Sequence, residues 1–559
     1  MANKRNILFF IGILFVVNTL FFVSALTSIS TCVEINESGT YLMNQSINQT
    51  ENADCIKIIA SDVILDCQGY NITSNWSVSG VYATNLTNIT IKNCYVDMGS
   101  GLGTGDLGGI KFSRVNNSNI MNSTLSNQYT GILILTSNNN TLTNITTNSN
   151  NHGISIELSN NNTLTNITSN SNSMGVILSS SDNNALINLT ANSNVFSGIE
   201  LSLSNNNTLT NITSNSNYYG IELTAISKNN TLTNITSNSN SHSGIYLSNS
   251  QNNTIKYILA DSNTDAGVYL VSSNNNALIN LTANSNSDGF ELYTSSNNTL
   301  TNITSNSSYN HGIVVGLSSN SNILRNLNIL NCSTGGSYSC IYVYASDNNL
   351  FNSLLINNSH SYGILLNSSG SFPTQNSDNN LFKDINITNI ANTSVFLDDD
   401  GSNSENTNNT FLNVSYLNET VDSRSELIRK WYYRARVIDI NNQSINLATV
   451  NAYNKNNTLI FDSTTNESGF IETNSLIAYI NRGNNNLEYF NPYNISASKN
   501  IFISSHLYNA TKSNLDDIFV LGSIDWCAGA DINRDGNVDS ADYIIWRKLQ
   551  GCFVNVSII

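Results

Sequence analysis

The chain has 559 residues, 40% of them hydrophobic and only 11% charged, with a formal net charge of −16. That acidity excludes nucleic acid as a natural partner. The apolar share, with only two prolines, excludes ordinary disorder, and the polar complement is Asn, Ser and Thr in place of charge.

Residues 1–25 combine a basic start (Lys4, Arg5), an apolar run from Ile7 and a small-residue site at Val23-Ser24-Ala25. This predicts a secretory signal cut after Ala25, with an uncleaved anchor as the alternative. No later segment reaches the ~20 apolar residues that span a bilayer, so no membrane span is expected after signal removal. The eight cysteines suit an oxidising, extracellular compartment. Spacing pairs Cys67 with Cys94, Cys332 with Cys340 and Cys527 with Cys552, leaving Cys32 for Cys55, although sequence alone does not fix connectivity.

From residue 32 to about 420 the chain repeats. Gly131, Gly153, Gly175, Gly198, Gly220, Gly244, Gly267, Gly289 and Gly312 follow one another at steps of 22–24 residues, Cys340 takes the next place, and Gly363 follows. A fixed period of this size means a solenoid. The residue after each glycine (Ile132, Ile154, Val176, Ile199, Ile221, Ile245, Val268, Phe290, Ile313) and the one two further on (Ile134 to Val315) are apolar, which is strand alternation. A second apolar pair, such as Leu164 and Ile167, lies beyond an Asn-rich corner. Short strands, corners and identical stacking residues predict a mainly β fold, a parallel β-helix with coils about 4.8 Å apart. Each coil carries N-x-S/T sequons, but columns that close together predict sparse glycan occupancy. Cys67 and Cys94, in ILDCQGYNI and IKNCYVDMG, fall on successive coils, as a disulfide requires.

The stretch DCIKIIASDVILDCQGYNIT and the repeats after it resemble the NosD-type and pectate-lyase-like right-handed β-helix superfamily. The resemblance implies the fold. It leaves open polysaccharide lyase, hydrolase, binding protein and adhesin.

Outward positions between the inward columns read Ser155, Ile177, Glu200, Glu222, Tyr246, Tyr269 and Glu291, with Glu157 and Tyr293 at the next outward place. Tyr218, Tyr219, His242, Asp265, Asp288 and His311 stand just before the glycines. Glu200 and Glu222 lie one coil apart, near the separation of a retaining glycosidase pair, and are the candidate catalytic residues. Tyr218, Tyr219, Tyr246, Tyr269, Glu291 and Tyr293 are candidate glycan contacts. Outward strand positions are polar in any case, so the first expectation is binding, with catalysis second. A lyase needs a base beside calcium-holding carboxylates, and no such pair stands out. No His, Met and Cys cluster of copper-binding type is present on the strip.

Residues 427–505 change texture. RKWYYRARVIDI, NLATVNAYN and TLIFDSTTNESGFIE alternate like strands, predicting a small antiparallel β-sandwich that resembles carboxypeptidase-regulatory-like domains. In residues 524–559, DINRDGNVDSAD places Asp531, Asn533, Asp535, Asn537, Asp539 and Asp542 at the ligand positions of an EF-hand calcium loop, with Gly536 at the sharp turn. The segment YIIWRKLQG after it has helical spacing. The module resembles a dockerin, which implies a cohesin-like partner, but only one loop is present, bracketed by Cys527 and Cys552. The expectation is a secreted or surface-displayed protein that binds polysaccharide or another macromolecule as adhesin or matrix component, with Ca²⁺ at its end. The alternative is a polysaccharide hydrolase or lyase.

Overall fold

The computed structural model describes residues 26–99, 107–368, 376–399, 405–484 and 486–522. The signal segment and the whole calcium module, with Cys527, Cys552 and Asp531 to Asp542, lie outside the described residues. Within them the chain is β-structured, a parallel solenoid of about 16 turns.

Two parallel sheets run its length. The glycine sheet links strands such as His152–Glu157, Met174–Ser179, Ser197–Ser202 and Tyr219–Thr224. The threonine sheet links Thr141–Asn148, Thr163–Asn170, Ala185–Thr190 and Thr208–Thr213. In the first coils the second sheet is split. Ile89–Lys92 and Tyr95–Met98 are separate strands that pair with the two halves of Asn119–Ser126.

The inward columns are as expected: Ile132 to Ile313 and Ile134 to Val315 are all buried. The second pair obeys a different rule. Leu164 and Ile167 are three residues apart, yet both are buried, because Asn166 between them is left-handed (φ 55°). The same conformation recurs at Asn144, Asn188, Asn211, Asn234, Asn280 and Asn302. Asparagine tolerates that region at lower cost than other side chains. This left-handed residue, one of several in each coil, bends the strand and returns the next apolar residue to the core.

Ladders of buried asparagine close both corners. At one, the Asn162 backbone N–H donates to Asn184 Oδ1 (2.8 Å), that of Asn184 to Asn207 Oδ1 (2.7 Å) and that of Asn207 to Asn230 Oδ1 (2.8 Å). At the other, Asn172, Asn194, Asn217 and Asn240 do the same. Corner backbone donors that strand pairing leaves over are thereby satisfied. Inside, Phe351, Phe382 and Phe411 stack at 4.7 Å, one coil apart.

Three disulfides match the expected pairs: Cys32–Cys55, Cys67–Cys94 and Cys332–Cys340, with Cα separations of 4.5, 4.8 and 5.2 Å.

The solenoid ends without a linker. Ser425–Ile438 pairs in parallel with Asn406–Ser415, then antiparallel with Asn474–Asn481 and parallel with Asn514–Val520. A four-stranded antiparallel sheet, Leu459–Thr464, Thr449–Tyr453, Tyr493–Lys499 and Phe502–Tyr508, shares a second core with it through Tyr433, Val437, Val450, Ile495 and Phe519. The alternation seen in the sequence is thus strand, antiparallel throughout the four-stranded sheet and mixed along Ser425–Ile438. The closer likeness to carboxypeptidase-regulatory-like domains stays an expectation.

Candidate functional site

The outward column of the glycine sheet is continuous. Register places Ser155, Ile177, Glu200, Glu222, Tyr246, Tyr269, Glu291, Val314 and Tyr342 one above another. Beside it, backbone hydrogen bonds ladder the residues before the glycines, Phe196 to Tyr218, His242, Asp265 and Asp288. All eight candidates named from the sequence therefore lie on one strip.

The aromatic members touch. Tyr218 meets Tyr219 edge-on at 4.7 Å between centroids, and Tyr219 stacks on Tyr246 at 4.5 Å with only 6° between the planes. Tyr246 to Tyr269 is 5.4 Å and Tyr269 to Tyr293 is 5.8 Å. His242 fills the angle between Tyr218 and Tyr219, at 5.1 and 4.9 Å. These are the offset and edge-to-face arrangements that ring quadrupoles favour.

The acids fall in two groups. Glu200 and Glu222 are direct partners on adjacent strands. Burial and then the Glu222 charge push the Glu200 carboxyl up to about 7. Burial also raises Glu222, against the opposing pull of a Ser197 hydroxyl that donates to its Oε2 and of nearby His242. His242 Nδ1 lies 3.0 Å from Asp265 Oδ2. The second group is deeper. Glu291 is 7% and Asp288 6% exposed, so both carboxyls are buried although they lie on outward positions. Burial, Asp288, Asp265 and a hydrogen bond with Asp288 all raise Glu291. Asp288 accepts from the His311 backbone N–H (2.9 Å) and the Asn310 side-chain amide (3.1 Å). Burial lowers the His311 imidazole, which stacks on Tyr342 at 4.8 Å. Burial, with Glu291 next, raises the Tyr269 phenol to about 12.

Sequence reasoning stopped the strip at Glu291 and Tyr293. It missed Ser197, Tyr342 and Tyr338, whose ring meets His311 edge-on at 5.1 Å. The signal for Tyr342 was present, since Cys340 occupies a glycine place and Tyr342 stands two residues after it. Ser197 carries no such mark, because its role comes from the rotamer that reaches Glu222.

Away from the strip, a groove of about 740 Å³ lies on the threonine sheet, lined by Asn302, Asn326, Ser353, Asp384 and Asn413 among others. It holds one acid, Asp384, which accepts from the Tyr432 hydroxyl. Asp398, Asp399 and Asp422 bring three carboxylates within 4.8 Å, and burial and its two neighbours raise Asp422. Among the described residues no helix is long and apolar enough to cross a membrane.

Two family models match. One described as a right handed beta helix region covers residues 175–329, and one described as periplasmic copper-binding protein (NosD) covers 103–236. With the solenoid, they define the class: a right-handed β-helix protein. No curated protein matches the chain. Among solved structures, Dettilon tailspike protein (gp208) aligns over 55% of this chain and 62% of its own, at 13% identity and TM-score 0.36. The Azotobacter vinelandii mannuronan C-5 epimerase AlgE4 A-module aligns over 66% and 91%, at 11% and 0.32. The Agl-KA catalytic domain aligns over 57% and 59%, at 14% and 0.33. The chain thus spans under two thirds of the tailspike's length. Superposition at these scores bears on neither activity nor ligand.

Proposed function

We propose that this is a secreted or surface-displayed β-helix protein that binds a polysaccharide along the glycine-sheet strip. The observation that carries the reading is the unbroken chain of rings from Tyr218 through Tyr219, Tyr246 and Tyr269 to Tyr293, parallel to the solenoid axis. Rigid phenol faces offer apolar area to sugar rings, and their hydroxyls with the neighbouring carboxyls offer hydrogen bonds. A repeating polymer suits a repeating column, since each coil presents the same kind of contact. The periplasmic name of one matching family model and the three disulfides support an extracytoplasmic location. Binding is tested by affinity electrophoresis against neutral and acidic polysaccharides. Tyr246→Ala is expected to weaken a binding polymer about tenfold, the size of one lost aromatic contact. Equal retention of variant and parent would remove the strip from binding.

Catalysis is a second reading, favoured by Glu200 with its raised carboxyl one strand from Glu222. A carboxyl that holds its proton near neutrality can act as general acid, with Glu222 as the second carboxyl of the pair. Release of reducing ends or unsaturated products that Glu200→Ala and Glu222→Ala both abolish would establish it. Silence from folded protein would leave binding alone.

Copper handling does not fit the residues on the strip. Among the described residues the strip brings no three His, Cys or carboxylate ligand atoms together, and the described cysteines are all in disulfides, so the His, Met and Cys set that copper selects is not assembled there. Calcium belongs to the reading through Asp531, Asn533, Asp535, Asn537, Asp539 and Asp542, with a cohesin-like partner as the corollary. Calorimetric titration with Ca²⁺, compared with Asp531→Ala/Asp535→Ala, tests it, and equal heats from both proteins would discard it.

A further inference from the structure

The opposite face of the solenoid carries a second array, unrelated to the strip. In Thr141–Asn148, Thr163–Asn170, Thr208–Thr213 and Thr231–Thr236 the strand begins Thr-Leu-Thr-Asn-Ile-Thr each time. The Leu and Ile are buried, while the threonines are partly exposed and the asparagine exposed, apart from Thr208, which is exposed. Register stacks like on like: Thr141 with Thr163, Thr143 with Thr165, Thr146 with Thr168, and likewise Thr208 with Thr231, Thr210 with Thr233, Thr213 with Thr236. Ala185, Ile187 and Thr190 continue the three columns between these blocks. The result is a two-dimensional lattice of hydroxyls and methyls. Its repeat is about 4.8 Å along the axis and about 6.7 Å between the first two columns.

Over this stretch the face is free of charge. No Asp, Glu, Lys, Arg or His occurs in six consecutive strands from Asn119–Ser126 to Thr231–Thr236. Surfaces of soluble proteins ordinarily carry roughly a quarter to a third charged residues. Here the charges gather on the glycine sheet and at corners. The lattice is also held in place. The exposed asparagines donate side chain to side chain, Asn144 to Asn122 (2.9 Å), Asn166 to Asn144 (3.1 Å), Asn188 to Asn166 (3.3 Å), Asn211 to Asn188 (3.0 Å) and Asn234 to Asn211 (3.2 Å). Each of these amides belongs to a sequon, so the atom that would take a glycan is engaged in the ladder.

A neutral lattice cannot hold an ionic polymer by charge. It complements a surface that is itself neutral, periodic and hydrogen-bonding. Both repeats lie near oxygen–oxygen repeats on faces of hexagonal ice. Methyls restrict the orientation of first-shell water, and hydroxyls donate to and accept from it at fixed points. Charged side chains would instead orient water about themselves. We propose that the threonine face binds ice. The array breaks at Thr254–Leu259, where Lys256, Tyr257 and Leu259 stand in place of Thr, Asn and Thr; Ala277–Asn284 restores only the third column, at Thr282, and the full motif returns in Thr299–Asn306.

The test uses the full chain made in a host without N-glycosylation, so that the sequons stay bare. The readouts are thermal hysteresis, ice-crystal shape and partition into a growing ice front, with circular dichroism as the folding control. The parent is expected to shape crystals and enter the ice. Thr210→Lys is expected to abolish both. It is structurally tolerable, since Lys256 occupies the same column two coils on. Lys256→Thr/Tyr257→Asn/Leu259→Thr joins the two blocks and is expected to raise hysteresis, and Tyr246→Ala on the other face to leave it unchanged. Folded parent with no hysteresis and no partition would overturn the proposal, as would activity that survives Thr210→Lys. Co-sedimentation with crystalline cellulose or chitin that Thr210→Lys removes, without ice activity, would give the face to a crystalline polysaccharide instead.

Discussion

Among single side chains, the strip is governed by the cost of burying carboxylates. Glu200 is raised to about 7 against an ordinary value of 4.5, chiefly by burial. The folded state therefore keeps a proton that the unfolded state gives up. Linkage then has a definite sign: this contribution is complete below pH 4.5 and is lost as pH rises through about 7. The melting temperature is expected to fall across that window, and Glu200→Gln to flatten that part of the profile. Glu291, raised by burial, by Asp288 and by Asp265, has the same sign and extends the loss to higher pH. Glu291→Gln is expected to raise the melting temperature of the protein at alkaline pH more than at pH 5. A melting profile indifferent to both substitutions would mean that water reaches these carboxyls freely.

At the scale of the coil, close approach and ladder hydrogen bonds set what each position accepts. A Cβ on Gly175 would lie 2.3 Å from the Gly198 carbonyl oxygen, which is backbone and cannot turn aside. Gly175→Ala is expected to destabilise by about 1–3 kcal/mol, read in urea unfolding. Asn207→Ala removes the acceptor of the Asn184 backbone N–H (2.7 Å) and the donor to the Ser181 carbonyl (3.0 Å), both buried. Orphaning them is expected to cost about 1–3 kcal/mol, whereas Asn211→Ala on the exposed ladder should cost less. The glycine column was legible in the sequence because a backbone contact of this kind leaves little room for a side chain, Cys340 and Ser394 being places where one is taken up, and the period follows from it. The inward columns and three disulfides were legible for the same reason, since stacking repeats the constraint in every coil. The bend at Asn166 was not, because an asparagine in NIT reads equally as corner, sequon or left-handed residue. For the site, residue type and column were legible. The burial of Glu291 and Asp288 was not, since their alternation marks them outward and only packing by neighbouring coils covers them. Ser425–Ile438 was read as opening a new module because its composition changes, but backbone pairing ignores composition and carries the sheet across.

In the whole molecule, each coil touches little beyond its two neighbours, so stability is a sum of local and interface contributions and the two ends are the weak points. The ends are closed differently. At the C-terminal side the threonine sheet runs on into Ser425–Ile438, whose far half belongs to a second core with Tyr433, Val450, Ile495 and Phe519. At the N-terminal side, among the described residues, Leu26–Ile29 pairs only with Gly39–Met43, and Val33–Ile35 only with Ile56–Ile58. There the coils are stapled by Cys32–Cys55 and Cys67–Cys94, which close 23 and 27 residues. Loops of that length restrict the unfolded chain by about 3–4 kcal/mol each in the chain-entropy account. Cys332–Cys340 closes only 8 residues, in the middle of the stack, and constrains less. Reduction under native conditions is therefore expected to open the molecule from one end. Hydrogen exchange should accelerate first over residues 26–99 while strands from 130 to 330 stay protected, and limited proteolysis should yield a trimmed fragment that keeps the strip. Cys332→Ala/Cys340→Ala should leave that pattern unchanged, with faster exchange confined to residues 333–339. Uniform loss of protection along the axis would instead mean that the coils unfold as one cooperative unit and that the N-terminal staples act on the whole stack.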